Sequence, residues 1–391
     1  MGEIQTRYAV VDVETTTFLK GHPYARRNRL CVVGIRIFGI NYVFCIEHGN
    51  EPYSDALEAI SELLSSVDLI VGFNLKFDLA WLLRYGIKLP DIPIWDCQLA
   101  EFIQSHQTIQ FPDLDGTVAK YGLGNKSTRI DNNYWSQGID TGDIPLDELR
   151  AYNENDLEIS DALYKYQIEH IEPNLLPLVR LHNSDLMVLL SMEYAGIKVA
   201  FDQMERARDV ATAKLEEIDA GLRRFVPEKF QEIFNPNSGD HLSCLLFGGS
   251  VIGKRQVKYD HLYKSGPKAG TTESRNRWED VECTFERLVE PKDEWKLKKD
   301  GFYSTAEEVI LQITKPNVLI RLLRERGTLE KLRGTYYEGL QKTYEKHDWE
   351  NDIIHGQFNQ CRVITGRLSS SAPNLQNFPP EMDKFLISRY D

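Results

Sequence analysis

Residues 10–17 read VVDVETTT, and the rest of the chain is organised around them. Tyr8, Ala9, Val10, Val11 and Val13 make this run apolar, which predicts a buried strand. Side chains alternate along a strand, so Asp12 and Glu14 share one face while Val11 and Val13 point into packing. Two carboxylates at the end of an apolar strand are unfavourable unless a positive charge lies between them. A divalent cation supplies that charge, and magnesium takes a few carboxylate oxygens together with water and phosphate. For Asp-x-Glu alone, a strand that merely ends in solvated acids is the commoner case. Other carboxylates have to decide between the two.

Working outward, a basic loop at 20–29 holds Arg26, Arg27 and Arg29. Strands are expected at 30–38 and 42–46, joined by a short turn, so three consecutive antiparallel strands open the chain. Residues 57–64 have helical spacing. The run VDLIVGF at 67–73 is a buried strand, and a helix follows at about 77–85, with Asn74 placed to cap it. This β-β-β-α-β-α order makes a mixed sheet with helices on its faces. Asp78 lies near the start of that helix. It is either an acid favoured there by the helix dipole or a third carboxylate beside the strand end. A further helix begins near Leu146, after Pro145, with an apolar stripe of Leu149, Tyr152, Ile159 and Leu163. Asp156 falls on that stripe one turn past Tyr152, and an acid on the core side of a helix needs a partner. Asp96, in Trp95-Asp96-Cys97, reads as the cap of another helix and not as a ligand.

VVDVETTT, GFNLKFD (72–78) and YNEND (152–156) together resemble the three motifs of 3′→5′ proofreading exonuclease domains with a ribonuclease-H-like fold. The tyrosine in the third motif is that of the DEDDy branch. The resemblance covers about residues 2–172. It implies an α/β ribonuclease-H-like exonuclease domain, a mixed five-stranded sheet flanked by helices. It also implies that Asp12, Glu14, Asp78 and Asp156 hold metal and that Tyr152 completes the catalytic set. Hydrolysis of a phosphodiester needs an activated water, a neutralised phosphate and a stabilised leaving oxygen, which two Mg2+ (or Mn2+) ions about 4 Å apart provide. On that scheme Asp12 bridges both ions, Glu14 and Asp156 complete the first, and Asp78 holds the second. Tyr152 and Glu14 orient the water. Arg26, Arg27 and Arg29 either hold a frayed single strand or form a solvated loop.

Composition sets bounds on the partners. The chain has 391 residues and a net charge of −13, so binding to nucleic acid has to rest on local basic surfaces. Six scattered cysteines without a Cys-x-x-Cys pair argue against zinc and for a reducing compartment. No signal-type segment opens the chain and no run is long enough to span a bilayer, so a soluble, cytoplasmic protein with no membrane contact is expected.

Beyond residue 171 the pattern changes to long helices, expected at 178–194 and 203–225. MEYAGIKVAFD, FNPNSGDHLSCLLFGG and FYSTAEEVI resemble the polymerase entry and the thumb of family A DNA polymerases. That implies a mainly α-helical thumb region after the exonuclease domain. The stretch 249–301 reads as an irregular insertion. Its first half carries Lys254, Arg255, Lys258, Lys264, Lys268, Arg275 and Arg277 against Asp260 and Glu273, and is expected to touch template–primer duplex unless it is a solvated loop. Extensions of this kind resemble those of bacteriophage members of the family, for which the compartment is the host cytoplasm. Residues 316–344 are helical and, with their flanks, hold Lys315, Arg321, Arg324, Arg326, Lys331, Arg333, Lys342 and Lys346 against four glutamates, a surface suited to duplex phosphates.

TGRLSSSAPNLQNFPP (365–380) closely resembles the primer-contacting segment of the same family. Arg367 matches a minor-groove arginine, and Asn374, Gln376 and Asn377 lie in the matching run. Donors there can test pair geometry, because every base pair presents minor-groove acceptors. Asn74 is counted with these residues as a DNA contact. The expected domains are thus 1–172 exonuclease, 173–248 polymerase entry and first thumb helices, 249–302 insertion, 303–350 thumb helices and 351–391 pre-palm segment.

In this family a palm with Asp-x-Ser-x-x-Glu follows, then fingers; the sequence stops at KFLISRYD. Read as a complete chain, it is the exonuclease-and-thumb half of a split polymerase. A second chain then supplies palm and fingers, and residues 385–388 form an unpaired edge strand awaiting it. Two other assignments compete: a non-catalytic DNA-binding and assembly subunit, and a stand-alone repair exonuclease, for which TGRLSSSAPNLQN has no use.

Overall fold

A computed structural model describes residues 6–48, 54–314 and 317–388. Strand β1 (Tyr8–Thr15) pairs antiparallel with β2 (Leu30–Ile37), which pairs antiparallel with β3 (Ile40–Cys45). Helix α1 (Ser54–Ser65) leads to β4 (Leu69–Gly72), parallel to β1. Helix α2 (Leu75–Arg84) leads to β5 (Ile94–Asp96), parallel to β4. The sheet order β3-β2-β1-β4-β5 is the expected mixed five-stranded sheet, with β1 at its centre. Helices α3 (Cys97–Gln104), α4 (Leu114–Tyr121), α5 (Arg129–Asn133) and α6 (Leu146–His170) follow. The apolar positions of β1 and β2 and the stripe of α6 meet in one core that includes Val11, Ile35, Leu157 and Leu163, all essentially closed to solvent.

Next come α7 (Leu176–Ala195), β6 (Ile197–Val199), α8 (Phe201–Arg223), α9 (Gly239–Phe247), β7 (Gly249–Leu262), β8 (Thr272–Phe285), α10 (Glu307–Gln312) and α11 (Val318–Lys331). A π-helical stretch (Leu332–Glu338) runs on into α12 (Gly339–His347). Short strands β9 (Ile353–Ile354), β10 (Gln357–Asn359), β11 (Ser369–Ser371) and β12 (Leu386–Ile387) close the described chain.

Two compact units emerge: Met1–Phe201 with Leu340–Asp391, and Asp202–Gly339. The expected boundary after residue 172 falls inside the first unit. Helix α7 contributes Val179, Leu186 and Leu190 to the sheet's core, and Cys361 joins the same core from the far end of the sequence. The chain around Cys361 is therefore packed against the core of the five-stranded sheet. Strand β12, at the position expected for an edge strand at 385–388, pairs on one side through Leu386 and Ile387 with Val199 and Lys198 of β6 and stands at the edge of the sheet β12-β6-β9. The loop at 20–29 is not freely solvated. Asn28 Nδ2 donates to the carbonyls of Phe18 and His22 (2.7 and 3.0 Å), and Arg26 pairs with Glu350 at 2.5 Å.

In the second unit the supposed irregular insertion is mostly a regular ribbon. Strands β7 and β8 keep register from Gly249↔Phe285 to Leu262↔Thr272. Val251, Cys283 and Phe285 root it in a core with Phe230, Phe247 and Trp295. Arg275 and Arg277 lie over the rings of Tyr263 and Tyr259 and pair with Glu273 and Glu279, which reduces the ribbon's free positive charge. Four of the helical cations, Arg324, Arg326, Lys331 and Arg333, are also engaged. Arg324 donates to the carbonyls of Ile310, Leu311 and Ile313, and Arg326 is buried between Asp219 and Asn237, 2.7 Å from each. Lys331 and Arg333 pair with Glu307 and Glu330. Lys315 and Pro316 lie outside the described residues.

Candidate active site

The site forms where β1 outruns its neighbour. Pairing of β1 with β4 ends at Val10↔Val71, so the Val13 amide lies past the ladder and donates to Asp78 Oδ1 at 3.1 Å. A register shift between Glu14 and Thr15 bends the same end of β1, the kind of bulge that re-aims side chains. Asp12, Glu14 and Asp156 each bring a carboxylate oxygen within 4.8 Å of the other two. Asp78 is buried beside them, 3 % exposed, held by β1.

Helix α6 contributes three residues on its core side. Tyr152 packs edge-on against Trp135 at 5.6 Å. Asn153 is wholly buried and donates Nδ2–H to Asp12 Oδ2 at 2.7 Å. Space for it exists because Asp12 pairs with Gly34, and a Cβ at Gly34 would meet Asn153 Oδ1 at 1.9 Å. Asp156 pairs through Oδ2 with Lys126 Nζ at 2.7 Å, while its Oδ1 is buried without a partner. Lys126 Nζ also lies 5.0 Å from the centre of the Tyr152 ring. Sequence reading missed Lys126, Asn153 and Gly34. A lysine in a Gly-Asn-Lys-Ser loop carries no signal of burial, and Asn153 is hidden beside the more conspicuous tyrosine and aspartate.

The electrostatics follow from crowding. Burial, then the charge of Asp156, push the Asp12 carboxyl up to about 8, opposed by Lys126 and Asn153. Glu14 and Asp78 are driven well above the carboxylate range by burial and by Asp12, and Asp156 is raised by burial against the pull of Lys126. Burial also raises the Tyr152 phenol, so it stays protonated at neutral pH. Four acids held this way fit a cationic cofactor: the cluster is short of positive charge, and one buried carboxylate oxygen has no donor.

Asn74 does sit before α2, but its side chain makes no cap; its backbone is left-handed (φ 56°), a conformation asparagine tolerates better than most residues. The capping falls to Asp96. Its carboxylate accepts from the amides of Asn74, Leu75, Gln98 and Leu99 (2.8–3.2 Å), joining the starts of α2 and α3. Those amides oppose burial, which pushes Asp96 up to about 6. Arg367, Asn374, Gln376 and Asn377 form a separate, exposed constellation after β10. Ser370 Oγ organises it, donating to Asn374 Oδ1 at 2.9 Å and accepting from the Gln376 amide at 3.1 Å.

Residues 3–166, which contain this carboxylate-lined strand end and the helix bearing Tyr152 and Asp156, match the 3′-5′ exonuclease family. Residues 271–388 match DNA polymerase family A. The chain is 26% identical to DNA polymerase I of Bacillus subtilis over 264 residues, 68% of this chain and 23% of that protein. Identity to DNA polymerase I of Helicobacter pylori is also 26%, over 322 residues, 82% and 29% of the two chains. A solved structure of the POL domain of Pol1 from M. smegmatis, in complex with DNA primer-template and dNTP, superposes with TM-score 0.62. It shares 17% identity and covers 97% of this chain and 53% of its own. The chain thus carries a 3′-5′ exonuclease domain followed by part of a family A DNA polymerase domain. It spans 17–36% of the length of the curated relatives it matches.

Proposed function

We propose that this chain removes nucleotides from the 3′ end of DNA as the proofreading part of a family A polymerase. The observation that carries the reading is the convergence of Asp12, Glu14 and Asp156, with Asp78 buried beside them. Asp12, Glu14, Asp156 and Asp78 would hold divalent cations, Mg2+ or Mn2+. Bound there, the cations would neutralise the scissile phosphate, make water more acidic and stabilise the leaving 3′-oxygen.

The chain's own residues supply position. Asn153 fixes Asp12, and Lys126 fixes Asp156 through one oxygen while leaving the other free. Tyr152, kept protonated by burial, offers a neutral hydroxyl to orient water; Glu14 is the acceptor for that water's proton. Water oxygen bonds to phosphorus, the P–O3′ bond breaks, and the released 3′-oxygen takes up a proton.

Arg367, Asn374, Gln376 and Asn377 would contact the primer, with Asn74 nearer the nuclease site. The match of 271–388 to DNA polymerase family A favours a polymerase partnership over a free-standing nuclease.

The test is degradation of 5′-labelled single-stranded DNA with magnesium, beside Asp12→Ala. A ladder shortening from the 3′ end is expected, slowed about a thousandfold or more in the variant. Equal degradation by both proteins, or none by either under any divalent metal, would reject the exonuclease reading.

A further inference from the structure

The loop between α3 and α4, residues 105–112, is unusual on three counts. His106, Gln107 and Phe111 all have left-handed backbones (φ 51°, 64° and 46°), conformations that non-glycine residues rarely hold without a reason. Ile109 and Phe111 are exposed, 41% and 48%. The loop also joins a distant segment. The Phe111 amide donates to the Cys361 carbonyl at 3.2 Å, and the Gln107 side chain lies against the backbone of Gly366. That segment presents its own exposed apolar side chains, Ile364 (60%) and Leu368 (40%).

Charge says what covers this surface. Residues 105–112 (SHQTIQFP) and 361–371 (CRVITGRLSSS) contain no acid, in a chain of net charge −13. Arg362 and Arg367 are exposed and make no ion pair among the described residues. A protein partner would find apolar area here, but a surface of arginine, hydroxyl and amide groups around an exposed ring, with Glu172 paired to His106 at 3.9 Å and Asp96 buried, fits a polyanion better. The exposed Phe111 ring discriminates further, because stacking requires a base freed from its pair. Phe111 also lines a small cavity with Asn74 and Lys76, which connects this surface to the turn bearing the second acidic motif.

We propose that residues 105–112 and 361–368 form one contact surface for single-stranded DNA, with the Phe111 ring as its stacking platform. The proposal rests on the exonuclease reading for its ligand and extends it to residues 105–112 and 361–364, which lie outside the three acidic motifs and adjoin the primer-contacting run that Thr365 opens.

The experiment measures binding with hydrolysis switched off. Fluorescence anisotropy with chelator present follows a short dye-labelled oligothymidylate and a blunt duplex of equal length, each titrated with the whole chain. Phe111→Ala is expected to weaken oligothymidylate binding about tenfold and duplex binding less than about twofold. Phe111→Trp should restore binding, while Phe111→Leu, which keeps apolar bulk without a ring, should behave as alanine. Unchanged binding in Phe111→Ala, an equal loss on both probes, or parent-like binding by Phe111→Leu would each overturn the proposal and leave the exonuclease reading standing. If the parent chain binds neither probe, the proposal fails, and the degradation assay beside Asp12→Ala decides the exonuclease reading separately. A thermal midpoint matching the parent's in Phe111→Trp confirms that the loop tolerates substitution.

Discussion

Asp12 carries a pH signature whose sign can be worked out. Its carboxyl is raised from an ordinary 3.8 to about 8, by burial first and by Asp156 second. Between those values the folded chain keeps a proton that the unfolded chain has lost. Unfolding free energy therefore falls as pH rises through this window. Glu14, Asp78 and Asp156 are shifted in the same direction and add slope of the same sign. A divalent cation requires the ionised forms, so its binding should release protons and strengthen with pH. With chelator present, the thermal midpoint is expected to fall from about pH 5 to about pH 8, and less steeply in Asp12→Asn. Magnesium should flatten the profile of the parent. Scanning fluorimetry across that range decides it, and parallel profiles for parent and variant would remove Asp12 as the source.

At the scale of elements, the approach of α6 to β2 depends on an absent side chain. Gly34 faces Asn153, which is wholly buried and cannot swing aside, and Leu157 Cδ1 stands 2.8 Å from the same point. Gly34→Ala should cost about 3 kcal/mol and, by moving Asn153 off Asp12, weaken metal binding as well. Urea unfolding measures the first effect and calorimetric titration of Mn2+ the second. Gly327→Ala, in α11 with open space around it, is the control and should be neutral or slightly stabilising. A Gly34→Ala protein as stable as the parent would show that the helix can retreat. This contact also shows what sequence could and could not reveal. Strand β1 and helix α6 were legible because alternation and helical spacing marked them and placed Asp12, Glu14 and Asp156 on their faces, while Asp78 joined them only through the resemblance of GFNLKFD to an exonuclease motif. Gly34 and Asn153 were not, since each is ordinary until the other lies across it. The β7–β8 ribbon escaped for the opposite reason. Most of its length is solvated on both faces, so no apolar alternation marks it as strand, and its charges read as a loop.

At the scale of the molecule, one buried ion pair ties the front of the chain to its end. Lys76 on α2 meets Glu193 on α7 at 2.5 Å, 18% and 5% exposed, and donates also to the Phe358 carbonyl. The Phe358 amide donates to the same glutamate oxygen at 2.6 Å. The residues matched to the exonuclease family and those matched to the polymerase family thus share a single polar knot within one compact unit. Burial raises Glu193 and Lys76 opposes the rise, so removing the lysine leaves a buried carboxylate without its counter-ion. Lys76→Met is expected to cost about 3 kcal/mol, because a broken buried pair is worse than none. The double variant Lys76→Met/Glu193→Gln should recover part of that loss, since the amide can still accept from Phe358 without carrying charge. Hydrogen exchange at 357–361 should quicken in the single variant and slow again in the double, while exchange in the ribbon at 249–285, which belongs to the other unit, stays unchanged. If the single variant keeps both its stability and its protection at 357–361, the knot does not hold the two matched regions together. The packing of Cys361 and α7 in the shared core would then carry that role alone.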